Sequence, residues 1–217
     1  MAETRLLKKD LFGEIRLRQT GDGPVIERDC APARSWLRWL ARRLLRREAE
    51  VLTALDGVAG VPEVQRIETD LLVRGYLPGV PMHHARPADP DYFRSASRLL
   101  RRLHRAGVVH NDLAKEANIL VAENGNPAFI DFQLAWHTPR RSALFRLLAR
   151  EDRRHLLKHK RTYCSDRLTK RELGLLANPS LPSKIWMKTG KPVYLFITRR
   201  LLGWADREGA ADRGDQA

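Results

Sequence analysis

The feature that most constrains the fold of this chain is a run of very short apolar segments, separated by polar loops, between residues 99 and 135. A helical pattern stops at Gly107, and Asp112 and Asn118 follow on the loops after it. Asp131 ends the last apolar segment of the run. Because an Asn-Gly pair turns the chain back between the last two segments, this path can bring the three polar side chains to one point.

Two carboxylates and one amide at a single point are the groups that phosphoryl transfer requires. One carboxylate orients the attacking hydroxyl, while a carboxylate and an amide hold Mg²⁺ between the phosphates of ATP. Mg²⁺ prefers oxygen ligands and keeps several of its waters, so it needs few protein ligands. The alternative is that these Asp and Asn residues are ordinary turn residues, which their order and apolar context disfavour.

Periodicity predicts the elements around this segment. Alternating apolar and polar residues predict strands early in the chain and again after the first helix. Apolar residues at three- and four-residue spacing, which include Trp36 in the first helix, predict two amphipathic helices. The predicted strands cover residues 12–19, 25–28, 64–67 and 71–77, and the predicted helices cover residues 35–55 and 91–106. Beyond residue 138 the pattern is helical and strongly basic.

This order of elements predicts an α+β fold with two lobes. Residues 1–78 form a small β-rich lobe, and residues 79–208 form a compact helical lobe that carries the polar loops. The change between them is expected near Gly75 to Pro81, where two prolines and two glycines interrupt regular structure. Residues 209–217 are expected to form a disordered tail.

The segment resembles the catalytic core of the protein-kinase superfamily, in which the catalytic loop reads His-Arg-Asp…Asn and the metal-binding motif reads Asp-Phe-Gly. The corresponding stretches here are LHRAGVVHNDL, ANIL and FIDF. The resemblance covers residues 11–163 and implies a protein-kinase-like fold with an ATP cleft between the lobes. It also implies ATP and Mg²⁺ as cofactors, with Asn118 and Asp131 as the metal ligands.

The same resemblance implies roles for three residues of the catalytic loop. Asp112 corresponds to the catalytic base that orients the acceptor hydroxyl, and His110 corresponds to a structural brace of the loop. Lys115 corresponds to a lysine that reaches the transferred phosphate, with a solvated loop lysine as the alternative.

Upstream segments resemble the nucleotide-binding parts of kinases more loosely. Phe12 and Gly13 resemble the end of the loop that covers the nucleotide, although the full Gly-x-Gly-x-x-Gly is missing. Arg28 stands where kinases have the lysine that binds the ATP phosphates, with an ordinary surface arginine as the alternative. Glu48, rather than Glu50, would be its ion-pair partner. Backbone groups of the segment that resembles the hinge would bind adenine: Gly75, Tyr76 and Leu77.

Three departures from the kinase pattern narrow the resemblance. Asn118 lies six positions after Asp112, one more than is usual, so the loop must bulge by a residue. Gln133 replaces the glycine of Asp-Phe-Gly, and no Ala-Pro-Glu follows. These features look like the compact bacterial group of RIO-like and lipopolysaccharide-kinase-like proteins, which includes Kdo and heptose kinases.

The function expected from these motifs is transfer of the γ-phosphoryl group of ATP to an alcohol, as in a RIO-like serine/threonine protein kinase. Phosphorylation of a sugar in the lipopolysaccharide core is one alternative. A pseudokinase-like nucleotide-binding or scaffold module is another, favoured by Arg28 and Gln133. The joint presence of Asp112, Asn118 and Asp131 disfavours it, because a scaffold has no chemical need for all three.

The chain is strongly basic, with 40 Lys and Arg against 26 Asp and Glu among its 217 residues, a formal charge of +14. Arginine contributes most of the excess, and its planar fork suits phosphate-bearing partners. Residues 36–47 and 188–204 combine tryptophan with basic residues, so contact with an anionic membrane surface is an alternative to core packing there. Nucleic acid is not an expected partner, because no binding motif for it is found.

The compartment expected for this chain is the cytoplasm. Its two cysteines, Cys30 and Cys164, are far apart and form no metal-binding pair. The N-terminus lacks the apolar segment of a signal peptide. No stretch reaches the ~20 apolar residues of a membrane-spanning helix, so any membrane contact would be peripheral, on the inner face of the cytoplasmic membrane.

Overall fold

The computed structural model describes residues 3–178, in which a five-stranded antiparallel sheet comes first. The elements of this part are β1 (Thr4–Asp10), β2 (Gly13–Thr20), β3 (Gly23–Asp29), α1 (Arg38–Ala54), β4 (Val64–Ile67) and β5 (Leu71–Gly75). The strand order is β1-β2-β3-β5-β4. Alternation along β2 and β3 therefore produced the predicted strands, and β1 extends the sheet by one more strand on its outer edge.

Helix α1 connects the sheet to the rest of the protein. Ala41 and Leu45 pack on the sheet with Leu72 of β5, while Leu52 and other residues of its last two turns belong to the core of the second half. No side chain caps its first turn, so packing on two sides, rather than capping, holds this helix. The predicted helix starts three residues too early, and Trp36 lies before it with an exposed side chain.

The second half contains two small sheets surrounded by helices. Its elements are β6 (Val80–Pro81), α2 (Met82–Ala85), α3 (Pro90–Arg105), β7 (Val108–Val109), β8 (Ile119–Val121), β9 (Pro127–Phe129), β10 (Trp136–His137), α4 (Ala143–Tyr163) and α5 (Lys170–Ala177). Strands β6, β8 and β9 form one sheet, and β7 pairs with β10. The chain thus changes sheet between residues 75 and 80. The division of the lobes at residue 78 stays a prediction.

Local signals explain where α3 begins and ends. Asp89 caps its first turn by accepting a hydrogen bond from the N–H of Asp91 at 2.8 Å, and Pro90 occupies the first helical position. Gly107 follows the helix with a φ of 79°. A Cβ there would lie 2.3 Å from the carbonyl oxygen of Thr138, so only glycine allows the chain to turn into β7 at this point.

The predictions for the end of the chain fall outside the described residues. These are the basic segment 188–204 and the tail 209–217. Within residues 3–178, no helix is long and apolar enough to cross a membrane. Cys30 and Cys164 are both free thiols and both buried.

Candidate active site

The loop between β7 and β8 folds back so that Asp112 and Asn118 touch. The Asn118 amide nitrogen Nδ2 donates to Oδ2 of Asp112 at 2.9 Å and to its backbone oxygen at 3.0 Å. Lys115 Nζ lies 3.0 Å from the same Oδ2. A 3₁₀ turn over Glu116–Asn118 ends this loop just before β8.

Asp131 is held beside this pair by the neighbouring backbone. The N–H of Ile130, which immediately precedes it, donates to the backbone oxygen of Asn118 at 3.0 Å. Asp131 itself adopts a left-handed conformation with φ of 64°, which is uncommon for a residue with a side chain and typical of functional positions. Since Nδ2 of Asn118 faces Asp112, its Oδ1 is directed away from Asp112 and can serve as an oxygen ligand.

The electrostatic surroundings of Asp112 favour its protonated form. Burial raises the pKa of the Asp112 carboxyl above its ordinary value, and the charge of Asp131 raises the pKa further. Lys115 and Asn118 act in the opposite direction, but the net shift is upward. A carboxylate whose pKa is raised is a stronger base, which suits a residue that accepts a proton.

His110 is buried in the protein interior, where it supports the catalytic loop. Its side chain is fully buried, its Nε2 lies 3.1 Å from the backbone oxygen of Ile130, and its ring lies against Phe132 with 4.6 Å between centroids. Burial lowers the pKa of His110, so at neutral pH the uncharged ring donates from Nε2 to that oxygen. This geometry fits a brace between the two motifs and gives His110 no contact with a substrate.

Helix α4 contributes a carboxylate that the motifs did not identify. Asp152 is almost fully buried, and its two oxygens accept hydrogen bonds from the backbone N–H groups of His110 at 2.8 Å and Asn111 at 2.9 Å. His104 Nε2 lies 3.2 Å from the same carboxylate. Asp152 therefore supports the catalytic loop from α4.

Two further residues on the same face of α4 hold the rest of the loop. His159 Nε2 lies 2.8 Å from the backbone oxygen of Leu113, and the Tyr163 hydroxyl donates to Glu116. Residues 152, 159 and 163 are separated by seven and four positions, so they lie on one helical face. His159 is therefore buried against the loop and does not lie on an exposed basic face of α4. An acidic residue at helical spacing from apolar ones was the only sequence signal for this support.

In the first half, Arg28 and Glu48 form the predicted ion pair. The Arg28 Nη1 and Glu48 Oε2 atoms are 3.0 Å apart, and both side chains are buried, which rules out a surface arginine at position 28. Glu50 is exposed. A second guanidinium, which the sequence analysis missed, faces the same carboxylate: Arg74 Nε lies 3.4 Å from Glu48 Oε1. A charged residue within the apolar strand β5 was its only signal.

The turn that contains Phe12 and Gly13 lies beside the end of β3. Gly13 has a φ of 129°, and a Cβ on it would lie 2.0 Å from the carbonyl oxygen of Asp29. Only glycine allows this approach, which brings the turn next to the residue that follows Arg28. Phe12 packs on the cluster between α1 and the sheet.

The predicted hinge segment uses part of its backbone within the protein. The N–H of Gly75 donates to Glu63 at 2.8 Å, and the N–H of Tyr76 donates to Pro24 at 3.2 Å. Within residues 3–178, no backbone partner is found for the N–H of Leu77. Of the three N–H groups expected to bind adenine, that of Leu77 is therefore the best candidate.

The oxygen ligands of this site fit Mg²⁺ with a nucleotide rather than a metal held by protein alone. Within the described residues, no group of three or more His, Cys, Asp or Glu side chains could hold a metal ion. Asp131 and the Oδ1 of Asn118 supply one carboxylate and one amide oxygen. Mg²⁺ commonly takes one or two protein ligands and completes its shell with waters and phosphate oxygens, so this small set is sufficient.

Comparison with known proteins supports the same reading. The RIO domain family profile matches residues 21–173, which include β3, α1, both motifs and all of α4. No curated protein matches the chain.

Proposed function

From the premise that this chain belongs to the RIO domain family, a kinase-like family, we propose that it is an ATP- and Mg²⁺-dependent phosphotransferase. The acceptor we propose is a serine or threonine hydroxyl of a protein. The observation that carries the proposal is the joint arrangement of Asp112, Asn118 and Asp131, in which the first two are hydrogen-bonded and the third is tied to Asn118 through Ile130.

In this proposal Asp112 orients the acceptor hydroxyl and accepts its proton. The raised pKa of its carboxyl makes the ionised form a stronger base for that step. Lys115 contacts the carboxylate at 3.0 Å, yet about half of its side chain is exposed. The lysine can therefore turn from Asp112 toward the transferred phosphoryl group without disturbing the core.

Asn118 and Asp131 are the residues that would hold Mg²⁺. When bound, the ion neutralises charge on the phosphates and fixes their orientation. Arg28 would attract the phosphates from the sheet side, and Glu48 fixes its direction. Two buried guanidiniums, of Arg28 and Arg74, share the single carboxylate of Glu48. This surplus of positive charge suits a site for a polyanion such as ATP.

The test is transfer of label from γ-labelled ATP to protein, with the full chain and Mg²⁺. Substitutions Asp112→Asn and Asp131→Asn are expected to lower the rate by at least ~10²-fold, because each removes a group that acts on the reacting atoms. The matched control is Asp56→Asn, since Asp56 is exposed and lies in the turn that follows α1. That variant should keep the wild-type rate.

Two outcomes would contradict the proposal. If the wild-type chain transfers label no faster than Asp112→Asn and Asp131→Asn, it is not a phosphotransferase. If extract fractions show label in lipopolysaccharide and none in protein, the chain is a phosphotransferase but its acceptor is a sugar.

A further inference from the structure

A groove lined by arginines runs along the outer face of α1, next to the candidate active site. Its volume is about 880 Å³, and its opposite side is formed by β10 and α4. The side chains that define it, hereafter the α1 groove, are Trp39, Arg42, Arg43, Arg46, Arg47 and Trp136. None of these residues has a role in the chemistry proposed above.

The α1 groove carries more positive than negative charge. Arg42 forms a two-point ion pair with Asp70, at 2.6 and 2.8 Å, and Arg47 donates to a backbone oxygen. Arg43 and Arg46 are exposed. No carboxylate of residues 3–178 forms an ion pair with either of them. Glu50 is the only acidic residue that lines the groove. The electrostatic field of the groove therefore attracts anions.

Apolar surface lies between these charges. Trp39 is 64% exposed and Leu144 on α4 is 54% exposed, although both are large apolar side chains. Exposed apolar surface with a charged rim is typical of protein interaction sites, where Trp and Arg are enriched. A nucleic-acid backbone would call for positive charge along the whole groove. A mixture of apolar and positive surface instead suits a peptide that carries both acidic and apolar side chains.

The position of the α1 groove relates it to the acceptor. Asn111, which directly precedes Asp112, lines the groove, and so does Trp136, which follows the 3₁₀ turn after Asp131. A chain bound in the groove would therefore pass beside Asn111, the residue that directly precedes Asp112. Asn111 is fixed there, because its side chain donates to Leu134 at 3.0 Å and its N–H donates to Asp152.

We propose that the α1 groove binds an acidic segment of the protein acceptor, next to the serine or threonine whose hydroxyl reaches Asp112. Arg43 and Arg46 are then the residues that determine specificity, and the preferred substrates carry several Glu or Asp residues beside the phosphorylated site. The proposal rests on the proposed function for the phosphoryl transfer itself. Recognition of the acidic segment can be measured separately.

The experiment measures binding without nucleotide, by fluorescence anisotropy of labelled peptides added to the full chain. Three peptides share one serine and several apolar residues and differ only in their charged positions, which are Glu, Gln or Lys. The Glu peptide should bind about tenfold more tightly than the Gln peptide, and the Lys peptide least tightly. Replacing Arg43 and Arg46 together by Glu should abolish this preference.

The control variant replaces Arg98 and Arg101 by Glu. These arginines have the same spacing on α3, are exposed, and do not line the α1 groove. The net charge of the control equals that of the Arg43→Glu, Arg46→Glu variant, so the control should bind the Glu peptide within about twofold of wild type. An equal loss in both variants would overturn the proposal, because it would reflect net charge alone.

Two more outcomes decide between occupants and between proposals. If a single-stranded oligonucleotide or a sugar phosphate of equal charge displaces the Glu peptide at lower concentration than unlabelled Glu peptide does, the groove does not serve an acidic peptide. If the Glu peptide binds selectively but no peptide is phosphorylated, the groove assignment stands and the proposed function fails. Phosphorylation of all three peptides with equal kcat/KM would overturn the groove assignment and leave the function intact.

Discussion

Glu48 shows how a single residue can hold a site together. Its carboxylate is fully buried between Arg28 of β3 and Arg74 of β5. Buried charges are tolerated only when they are paired, and here one carboxylate is the ion-pair partner of two guanidiniums. The free energy of folding therefore depends strongly on Glu48.

Replacing Glu48 by Gln is expected to destabilise the protein by about 3–5 kcal/mol, because it leaves two guanidiniums buried without a counter-charge. The measurement is the free energy of unfolding in urea, compared with Glu50→Gln on the exposed side of the same helix. Arg74→Met should cost less than Glu48→Gln, since the Arg28–Glu48 pair survives. Equal stability of the Glu48 and Glu50 variants would show that the buried pair is not formed.

Asp112, in contrast to Glu48, lowers the stability of the folded protein near neutral pH. Because its folded-state pKa is raised, the folded protein binds this proton more tightly than the unfolded chain does. The contribution of Asp112 is thus favourable at low pH and is lost as the pH rises through the folded-state pKa.

Asp112→Asn is therefore expected to be more stable than wild type near neutral pH, and the difference should shrink as the pH falls. Urea unfolding between about pH 8 and about pH 4 measures it, a range that covers carboxyl titration. The exposed Asp56→Asn serves as reference. A difference between Asp112→Asn and wild type that grows toward low pH would contradict the raised pKa.

Among the elements, α4 has the clearest structural task. Asp152 binds the backbone of the catalytic loop at His110 and Asn111, and Tyr163 reaches Glu116 about three turns further along the same face. The helix thus holds the loop at both ends. The left-handed conformation of Asn111, with φ of 63°, persists because its N–H is fixed in this way.

Asp152→Asn is expected to cost about 3 kcal/mol, because one amide oxygen cannot replace two carboxylate oxygens that accept from buried N–H groups. Tyr163→Phe should cost about 1 kcal/mol, the usual net value of one hydrogen bond. Amide hydrogen exchange offers a specific readout: the His110 and Asn111 amides should exchange faster in Asp152→Asn and not in the exposed control Asp166→Asn. Unchanged exchange at these two amides would exclude the proposed support.

At the scale of the whole molecule, α1 joins the two halves. Its first turns pack on the five-stranded sheet, and Val51, Leu52 and Leu55 lie in the same cluster as Leu100 of α3 and Phe132. Neither half can lose its structure without exposing part of the core of the other. The described residues should therefore unfold as one cooperative unit.

Thermal unfolding followed by circular dichroism and by tryptophan fluorescence should give coincident single transitions. Mg·ATP at about 100 times its Kd should stabilise the wild type by ~2.7 kcal/mol. The shift should be much smaller in Asp131→Asn, because a proposed metal ligand is removed. Two separate transitions would show that the halves fold independently, and an equal shift in Asp131→Asn would remove Asp131 from the nucleotide site.

The sequence alone was sufficient for the α+β, kinase-like fold, which the RIO family match confirms. Period-two and helical patterns predicted the strands and helices because these patterns reflect which residues are buried. The order of Asp112, Asn118 and Asp131 was also sufficient to predict one polar site, since Gly107 and the Asn-Gly turn determine how the chain folds back around it.

Only the tertiary structure decided which distant residues support that site. Arg74, Asp152 and His159 lie in strands and helices whose local patterns would be the same if their side chains faced solvent. Their contacts depend on how β5, α1 and α4 pack, over separations of 26 to more than 40 residues. Local periodicity indicates which residues of a segment are buried, but it does not indicate which distant residue each of them contacts. No pattern within one segment could therefore have identified these contacts or the α1 groove.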